Sequence, residues 1–351
     1  MVLDSTNTDR APGGPVGMAW AWLCSALVVV LATAAASLAL EPVPAGNRIP
    51  ATIAGTLTAP ADDPMHMPTD VALDSTGRVF VADGANDRIV VLRSNGTFDR
   101  AVKMIGQEKL SRPIGLCVDA TDRLWIADSG NHRLLVAAPD GRLVTRVEVP
   151  APENGRPFQP TDVVVTPDGR RAYFTDNDNH RIGIRDNQTG DISFMGRFGE
   201  GLGQFRWPFM VALAPDGYLY ITEAIGARAQ RLSPADRWAG QVGRWGVDLG
   251  QFYRPKGVVV DHHGRSYISD STLCVVQVFT PLGAVIGTLT DPSGRPLKFQ
   301  HPMGMAFDAA GRLYVVELLG NRVAIVNLPS ALAATAPSTQ PASRPEGDAP
   351  Q

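Results

Sequence analysis

The stretch TDVALDSTGRVFVADGANDRIVVLRSNGTFDRAVKMIG, residues 69–106, contains four apolar segments separated by turns rich in glycine, asparagine and aspartate. Alternation of period two within such segments marks β-strands, and turns such as DSTG and SNG join neighbouring strands as hairpins. The stretch therefore predicts one sheet of four strands.

This pattern recurs six times at intervals of 45–48 residues. Each copy opens with a proline before the first strand, and a glycine or aspartate turn follows nine residues later. Repeats of this length with four strands each predict an all-β, six-bladed β-propeller of four-stranded blades. The six prolines are Pro68, Pro113, Pro160, Pro208, Pro255 and Pro302.

The sixth copy lacks a fourth strand, because the chain leaves the pattern after residues 322–327. A spare strand, ATIAGTL at residues 51–57, precedes the first repeat proline. We predict that this N-terminal strand pairs with residues 322–327 and closes the ring.

The ends of the chain have a different composition from the repeats. Residues 18–40 form an uncharged apolar stretch of 23 residues, which as a helix would be about 34 Å long and could cross a bilayer. A transmembrane anchor and a cleaved signal sequence both fit this segment, and either predicts a propeller outside the cytoplasm, periplasmic or extracellular. The predicted organisation is a leader (1–17), this anchor or signal (18–40), a linker (41–48), the propeller (49–330) and a disordered tail (331–351).

The overall composition excludes several classes of protein. Hydrophobic residues make up 44% of the 351 residues, which is enough for a large core. Only 19% of the residues are charged and the net charge is −3, which argues against a dedicated nucleic-acid binder and against a disordered acidic chain. The three cysteines form no CxxC motif, so neither a disulfide framework nor a cysteine metal site is expected.

Several segments resemble NHL repeats. They are ADSGNHRLLV at residues 127–136, NDNHRIGI at 177–184, and the linkers FGEGLGQFRWP at 198–208 and WGVDLGQFYRP at 245–255. The resemblance implies a six-bladed propeller. Proteins of the NHL-repeat family include RNA-binding and ubiquitin-ligase modules, extracellular sensor domains and peptidylglycine-amidating lyases. The family alone therefore does not determine an activity.

The amidating lyases of this family hold zinc with three histidines, each directly after a repeat proline. None of the matching residues here is histidine, so no metal and no cofactor are expected, and the interpretation leans away from an enzyme. The matching residues are Thr69, Ile114, Thr161, Phe209, Lys256 and Met303.

An acidic residue ends the second strand of every copy, and an arginine begins the third strand in five copies. Because a binding site would be asymmetric, this repetition favours structural ion pairs that close the loop of each blade. Only the fifth copy lacks the arginine and has Val275 instead. The predicted pairs are Asp83–Arg88, Asp128–Arg133, Asp176–Arg181, Glu223–Arg228 and Glu317–Arg322.

The long loops before the repeat prolines are the best candidates for a binding surface, because such loops on a rigid scaffold usually carry function. Aromatic and basic residues concentrate there, and we predict a patch of Trp207, Tyr253, Arg254, Lys256 and His301. Packing of the aromatic residues between blades is the alternative for Trp207 and Tyr253. The sequence thus favours a membrane-anchored binding or scaffolding module for a protein, peptide or glycan. Nucleic acid is not expected, and a lyase or lactonase with its site at the channel mouth is the alternative function.

Overall fold

The computed structural model describes residues 43–329, which form an all-β propeller of six four-stranded blades. No helix within this part of the chain is long and apolar enough to cross a membrane. The predicted leader, the predicted anchor or signal at residues 18–40 and the predicted tail at 331–351 lie outside the described residues.

The strands follow the sequence repeat blade by blade. Before the first repeat come β1 (Arg48–Pro50) and β2 (Thr52–Leu57). Blades 1 to 3 contain β3 (Asp70–Leu73), β4 (Val79–Asp83), β5 (Arg88–Leu92) and β6 (Phe98–Val102), a small hairpin of β7 (Met104–Ile105) and β8 (Glu108–Lys109), then β9 (Pro113–Val118), β10 (Leu124–Asp128), β11 (Arg133–Ala137), β12 (Leu143–Glu148), β13 (Val163–Val165), β14 (Arg171–Asp176), β15 (Arg181–Asp186) and β16 (Ile192–Met195). Blades 4 to 6 contain β17 (Pro208–Leu213), β18 (Leu219–Glu223), β19 (Arg228–Leu232), β20 (Trp238–Val242), β21 (Pro255–Val260), β22 (Ser266–Asp270), β23 (Val275–Phe279), β24 (Val285–Thr290), β25 (Pro302–Phe307), β26 (Leu313–Glu317) and β27 (Arg322–Asn327).

The predicted ring closure is confirmed. Strand β2 pairs antiparallel with β27 and supplies the fourth strand of blade 6, with Leu57 opposite Val323 and Thr52 opposite Asn327. The N-terminal and C-terminal ends of the described chain are therefore joined in one sheet. This pairing covers the edge that β27 would otherwise leave open.

Part of the segment predicted to be a linker is ordered against blade 5. Residues Ala45–Asn47 form a 3-10 turn, and β1 pairs in parallel with β24 as a fifth strand of that sheet. The side chain of Asn47 donates to the carbonyl of Ile286 at 2.8 Å, and Ile49 is buried among the apolar side chains between blades 5 and 6. The N-terminal segment thus connects the outer edges of two blades before it closes the ring.

The hydrophobic core of this propeller is divided among the interfaces between blades. Each of six large apolar clusters in residues 43–329 combines side chains of neighbouring blades. Between blades 1 and 2, for example, Ile89 and Val91 belong to one cluster with Ile126 and Leu135. A single blade could not bury both of its faces, so the ring as a whole forms the folding unit.

The two ends of the propeller differ in their loops. At one end, the linkers enter the first strand of each blade beside the loop between its second and third strands, as the pairing of Asp128 with both Pro113 and Arg133 shows for blade 2. We call this end the linker face and the opposite end, with its short hairpin turns, the turn face. In blades 2 and 3 the loop on the linker face is a 3-10 turn followed by His132 or His180 in the left-handed conformation, with φ of 56° and 54°.

Candidate functional site

Each predicted acid–arginine pair forms an ion pair on the linker face. In blade 2, Arg133 donates from Nε to Asp128 at 2.8 Å and from Nη2 to the carbonyl of Lys109 at 2.8 Å. The Asp128 carboxylate is fully buried and also accepts from the N–H of Ser111 at 2.8 Å. The pair therefore attaches the preceding linker to the blade. The same contact joins Arg88 to Asp83, Arg181 to Asp176, Arg228 to Glu223 and Arg322 to Glu317.

Blade 5 departs from this arrangement because Val275 occupies the position of the arginine. The Asp270 carboxylate is fully buried there and accepts four backbone N–H groups at 2.7–3.0 Å. Burial raises the pKa of Asp270 above its usual range. Apolar packing replaces the arginine contacts to the linker, through Val275, Leu273, Val247 and Leu249. Two of the four N–H donors belong to Tyr253 and Arg254, so Asp270 fixes the backbone from which these side chains project.

Three basic side chains from blades 5 and 6, which we call the basic cluster, gather where the linker face meets the central channel: Arg254, Lys256 and His301. All three are partly exposed. The Lys256 ammonium lies 3.9 Å from the centre of the Phe209 ring on blade 4. Within residues 43–329, no carboxylate lies within ion-pair distance of Arg254 or Lys256.

Burial and neighbouring positive charge lower the pKa of two members of the basic cluster, Lys256 and His301. Burial, followed by the charge of Arg254, lowers the pKa of Lys256 to about 8. Burial, followed by the charges of Lys256 and Arg254, lowers the pKa of His301 to about 4. At neutral pH the cluster therefore presents two cations and a neutral imidazole, which can both donate and accept a hydrogen bond.

The two aromatic residues of the predicted patch have other neighbours. Trp207 packs edge-on against His180 of blade 3 at a ring distance of 4.7 Å, and its backbone N–H donates to His180 Nδ1 at 3.2 Å. Phe198 completes this group. Tyr253 lies 6.5 Å from the ring of Trp245. The structure thus brings together the three basic residues and places each aromatic residue in a pair or group of its own.

Two carboxylates inside the channel were not among the residues predicted from the sequence. The innermost strands of the six blades enclose a cavity of about 240 Å³, which is lined mainly by apolar side chains and by Asp70 and Asp162. The N–H of Leu116 donates to Asp70 at 2.8 Å, and the N–H of Val211 donates to Asp162 at 2.9 Å. Each carboxylate therefore bridges from its own blade to the next.

A pattern at the second position after the repeat proline accounts for these two carboxylates. A Cβ atom on Gly304 would lie 1.9 Å from Asp70 Oδ1, and one on Gly115 would lie 2.4 Å from Asp162 Oδ1. Each aspartate therefore requires a glycine in an adjoining blade. The residues at this position in blades 1 to 6 are Asp70, Gly115, Asp162, Met210, Gly257 and Gly304. An aspartate with a glycine at the same position of an adjoining blade is the signal from which the site could have been found.

Both channel carboxylates favour the protonated form. Burial raises the pKa of Asp70 to about 7, although the N–H of Leu116 acts in the opposite direction. Burial and the nearby charge of Asp70 raise the pKa of Asp162 well above its usual range. In residues 43–329, no group of three or more His, Cys, Asp and Glu side chains is arranged to hold a metal ion.

Comparison with known proteins agrees with this architecture. The sequence profile of the NHL repeat matches residues 65–92 and 110–137, which cover the first three strands of blade 1 and of blade 2. The chain is an NHL-repeat β-propeller. No curated protein matches the sequence of this NHL propeller.

Solved structures similar to the NHL propeller differ in their described functions. A virginiamycin B lyase from Staphylococcus aureus is 14% identical with a TM-score of 0.58, covering 79% of this chain and 88% of that one. A gluconolactonase from Xanthomonas campestris is 19% identical with a TM-score of 0.59, covering 82% and 98%. An auxiliary nutrient binding protein from Bacteroides thetaiotaomicron is 13% identical with a TM-score of 0.60, covering 78% and 72%. These identities establish a shared fold and no shared activity.

The channel carboxylates give the NHL propeller a testable pH dependence. Because the pKa of Asp70 is raised from 3.8 to about 7, its contribution to stability is fully present below about pH 4 and is lost as the pH rises through about 7. Asp70→Asn keeps an acceptor for the Leu116 N–H and carries no charge. We expect this variant to exceed the wild type in free energy of unfolding at pH 8 by about 2–4 kcal/mol, and to differ little at pH 4.5.

Urea denaturation at the two pH values measures this difference. Asp140→Asn is the matched control, because Asp140 lies on the surface with 68% of its side chain exposed. An equal change in stability between pH 4.5 and pH 8 for wild type and Asp70→Asn would show that folding does not raise the pKa of Asp70.

Proposed function

We propose that this NHL propeller is a binding module that holds an anionic group of its ligand at the linker-face mouth of the channel. The observation that carries this proposal is the basic cluster. Arg254 and Lys256 have no carboxylate partner within residues 43–329, and they lie where three blades meet the channel. The arginines that begin the third strands of the other five blades are all paired with acids, whereas these two cations are available to a ligand.

The chemistry of the basic cluster suits a carboxylate or a phosphate. The guanidinium of Arg254 can bind such a group with two parallel hydrogen bonds. An anion beside Lys256 would stabilise the charged form of this lysine, which burial and Arg254 disfavour. His301, neutral at pH 7, can donate a further hydrogen bond to the bound group.

The position of the cluster in the ring also supports a site there. Blade 5 is the copy in which the structural arginine is replaced, by Val275, and the backbone of Arg254 is held by Asp270 instead. Functional sites in repeat folds are asymmetric, since a role shared by all blades would be a structural one. The partner classes that fit are a protein, a peptide or a glycan that presents an anionic group.

A second candidate function is a lyase or lactonase reaction at the same mouth. The observation that favours it is the pairing of Lys256, with a pKa of about 8, and His301, with a pKa of about 4. At neutral pH the protonated Lys256 can donate a proton and the neutral His301 can accept one. Turnover of a ligand that depends on His301, as opposed to simple binding, would distinguish this candidate from the binding module.

The cellular location belongs to the proposal as well. We propose that the propeller lies outside the cytoplasm and is attached to the membrane through residues 18–40, with secretion after cleavage as the alternative. The apolar length of that segment supports this location. Fractionation of cells that express the full chain or residues 41–351 tests it, because only the full chain should sediment with membranes if the segment is an anchor.

Short peptides with a free C-terminal carboxylate, and the same peptides with an amidated C-terminus, test the basic cluster by titration calorimetry. We expect the wild type to bind the free carboxylates about tenfold more tightly than the amides. The double variant Arg254→Gln, Lys256→Met should lose this preference, because the charges that distinguish the two peptide forms are removed. Affinity of the wild type for the carboxylates should also fall as the pH rises through about 8, when Lys256 loses its proton.

The charge-matched control is the double variant Lys103→Met, Arg142→Gln, which removes two exposed cations elsewhere on the surface. It should bind like the wild type. Equal affinities of the wild type for the carboxylate and amide forms would contradict the proposal.

A further inference from the structure

A second cavity lies away from the channel, on the linker face of blade 4. It has a volume of about 200 Å³ and is enclosed by the linker into blade 4 (residues 196–207), the end of blade 4 and the linker into blade 5 (residues 243–254). Its lining residues are mostly polar, and one large aromatic side chain, Trp245, stands at its border. This volume is below that of drug-sized pockets, about 300–1,000 Å³, and suits a single small ring.

Trp245 offers an uncovered aromatic surface. It is 71% exposed, and its one ring contact in the described chain is the tilted Tyr253 at 6.5 Å. The indole is mostly apolar, so a ligand ring that covers it would remove apolar surface from water. The flat face of an indole is the shape against which the C–H face of a pyranose ring can stack.

The polar groups around Trp245 include hydrogen-bond donors that have no acceptor within residues 43–329. No carboxylate of residues 43–329 lies within ion-pair distance of Arg244, the residue before Trp245. The Nε of Arg206 is buried and has no acceptor among the described residues, although its Nη1 contacts Glu200 at 2.7 Å. Buried donors without a partner are rare in folded proteins, so this one marks a gap in the hydrogen bonding beside the cavity. The exposed carboxylate of Glu200 adds an acceptor to the same cavity.

We propose that this cavity binds one acidic sugar residue of a polysaccharide, with the pyranose ring against Trp245 and the carboxylate at Arg244. The mixture of an aromatic surface, donors and acceptors suits a ligand that carries hydroxyl groups around a ring. A bare phosphate would leave the indole uncovered, and a helical or extended peptide would need a longer groove than this cavity provides.

The repeat favours a polymeric ligand over a single sugar. The linker into blade 4 carries the same arginine–aromatic pair 47 residues earlier, as Arg197 and Phe198, and Phe198 is 61% exposed. Equivalent positions in neighbouring blades lie on the same face of the ring. A chain of acidic sugars could therefore contact the two aromatic residues in succession.

Affinity electrophoresis and calorimetry with polygalacturonate, alginate and fully methyl-esterified polygalacturonate test this inference on the full chain. We expect the wild type to bind the two acidic polymers about tenfold more tightly than the esterified polymer. Trp245→Ala should weaken binding of polygalacturonate and of its ester alike, by about tenfold, because stacking does not depend on the charge. Arg244→Gln should abolish the preference for the acidic form.

Two control variants distinguish this cavity from the rest of the protein surface. Leu282→Ala removes an exposed apolar side chain, 86% exposed, from the turn face and should bind like the wild type. The variant Lys103→Met, Arg142→Gln, which removes two exposed cations outside both proposed sites, should also retain polygalacturonate binding. Absence of wild-type binding to both acidic polymers, or full binding by folded Trp245→Ala, would overturn the inference.

Discussion

Deletion of residues 49–58 is expected to lower the melting temperature by about 10 °C or more, whereas deletion of residues 335–351 should leave it unchanged. The first deletion removes β2 and most of β1, leaves the edge of β27 unpaired, and takes Ile49 and Leu57 out of two interblade clusters. Each buried aliphatic side chain contributes about 1.5–3 kcal/mol, and in a domain of this size about 1 kcal/mol corresponds to a few degrees. The second deletion removes residues that the sequence places outside the propeller.

Differential scanning calorimetry of the two truncated chains and the full chain measures this effect. Equal melting temperatures for the two truncated chains would mean that the ring is held together by its interblade clusters without the closing strand. A melting transition that splits in two for the first truncation would instead place the weakened unit in blade 6.

Replacement of Asp128 by alanine is expected to cost about 3 kcal/mol or more in the free energy of unfolding. The change leaves Arg133 buried beside the cavity of the lost carboxylate and removes the acceptor of the Ser111 N–H. Loss of one partner of a buried pair typically costs about 3–5 kcal/mol. Because Glu108 also contacts Arg133, we expect the lower part of that range.

Asp140→Ala in the same blade is the matched control. Asp140 and Arg142 approach to 3.9 Å with both side chains mostly exposed, and such a pair contributes about 0–1 kcal/mol. Urea denaturation of the two variants should therefore give clearly different midpoints. A fully stable Asp128→Ala protein that has lost ligand binding would show instead that the repeated pairs have a binding role.

The fold could be predicted from the sequence because its determinants are local. Strand alternation, hairpin turns and the spacing of the repeat prolines all recur within about 47 residues. The sixth copy lacks a fourth strand and one spare strand precedes the first copy, so the sequence indicated how the ring of blades closes. The acid–arginine pairs were equally accessible, since the two residues are five positions apart and face each other across adjacent strands, as Asp128 faces Arg133.

The candidate sites were only partly accessible from the sequence. The sequence placed Arg254, Lys256 and His301 on one face, and the structure adds that burial and neighbouring positive charge lower the pKa of Lys256 and of His301. The sequence did not reveal that Trp207 packs against His180, or that Trp245 is exposed beside Arg244, which has no carboxylate partner within residues 43–329. The direction in which a linker side chain points depends on its contacts with the neighbouring blade, so it cannot be predicted from the local sequence pattern.

The sequence by itself determined the number of blades, the strands within them, the closing strand and the residues of the structural ion pairs, because each follows from a pattern repeated along the chain. Only the tertiary structure decided which residues meet between blades. Asp70 receives the N–H of Leu116, 46 residues away, against the bare backbone of Gly304, and Asn47 reaches Ile286 across 239 residues. Contacts of this kind depend on how the blades pack against one another and on the closure of the ring, which bring together segments that no local pattern connects.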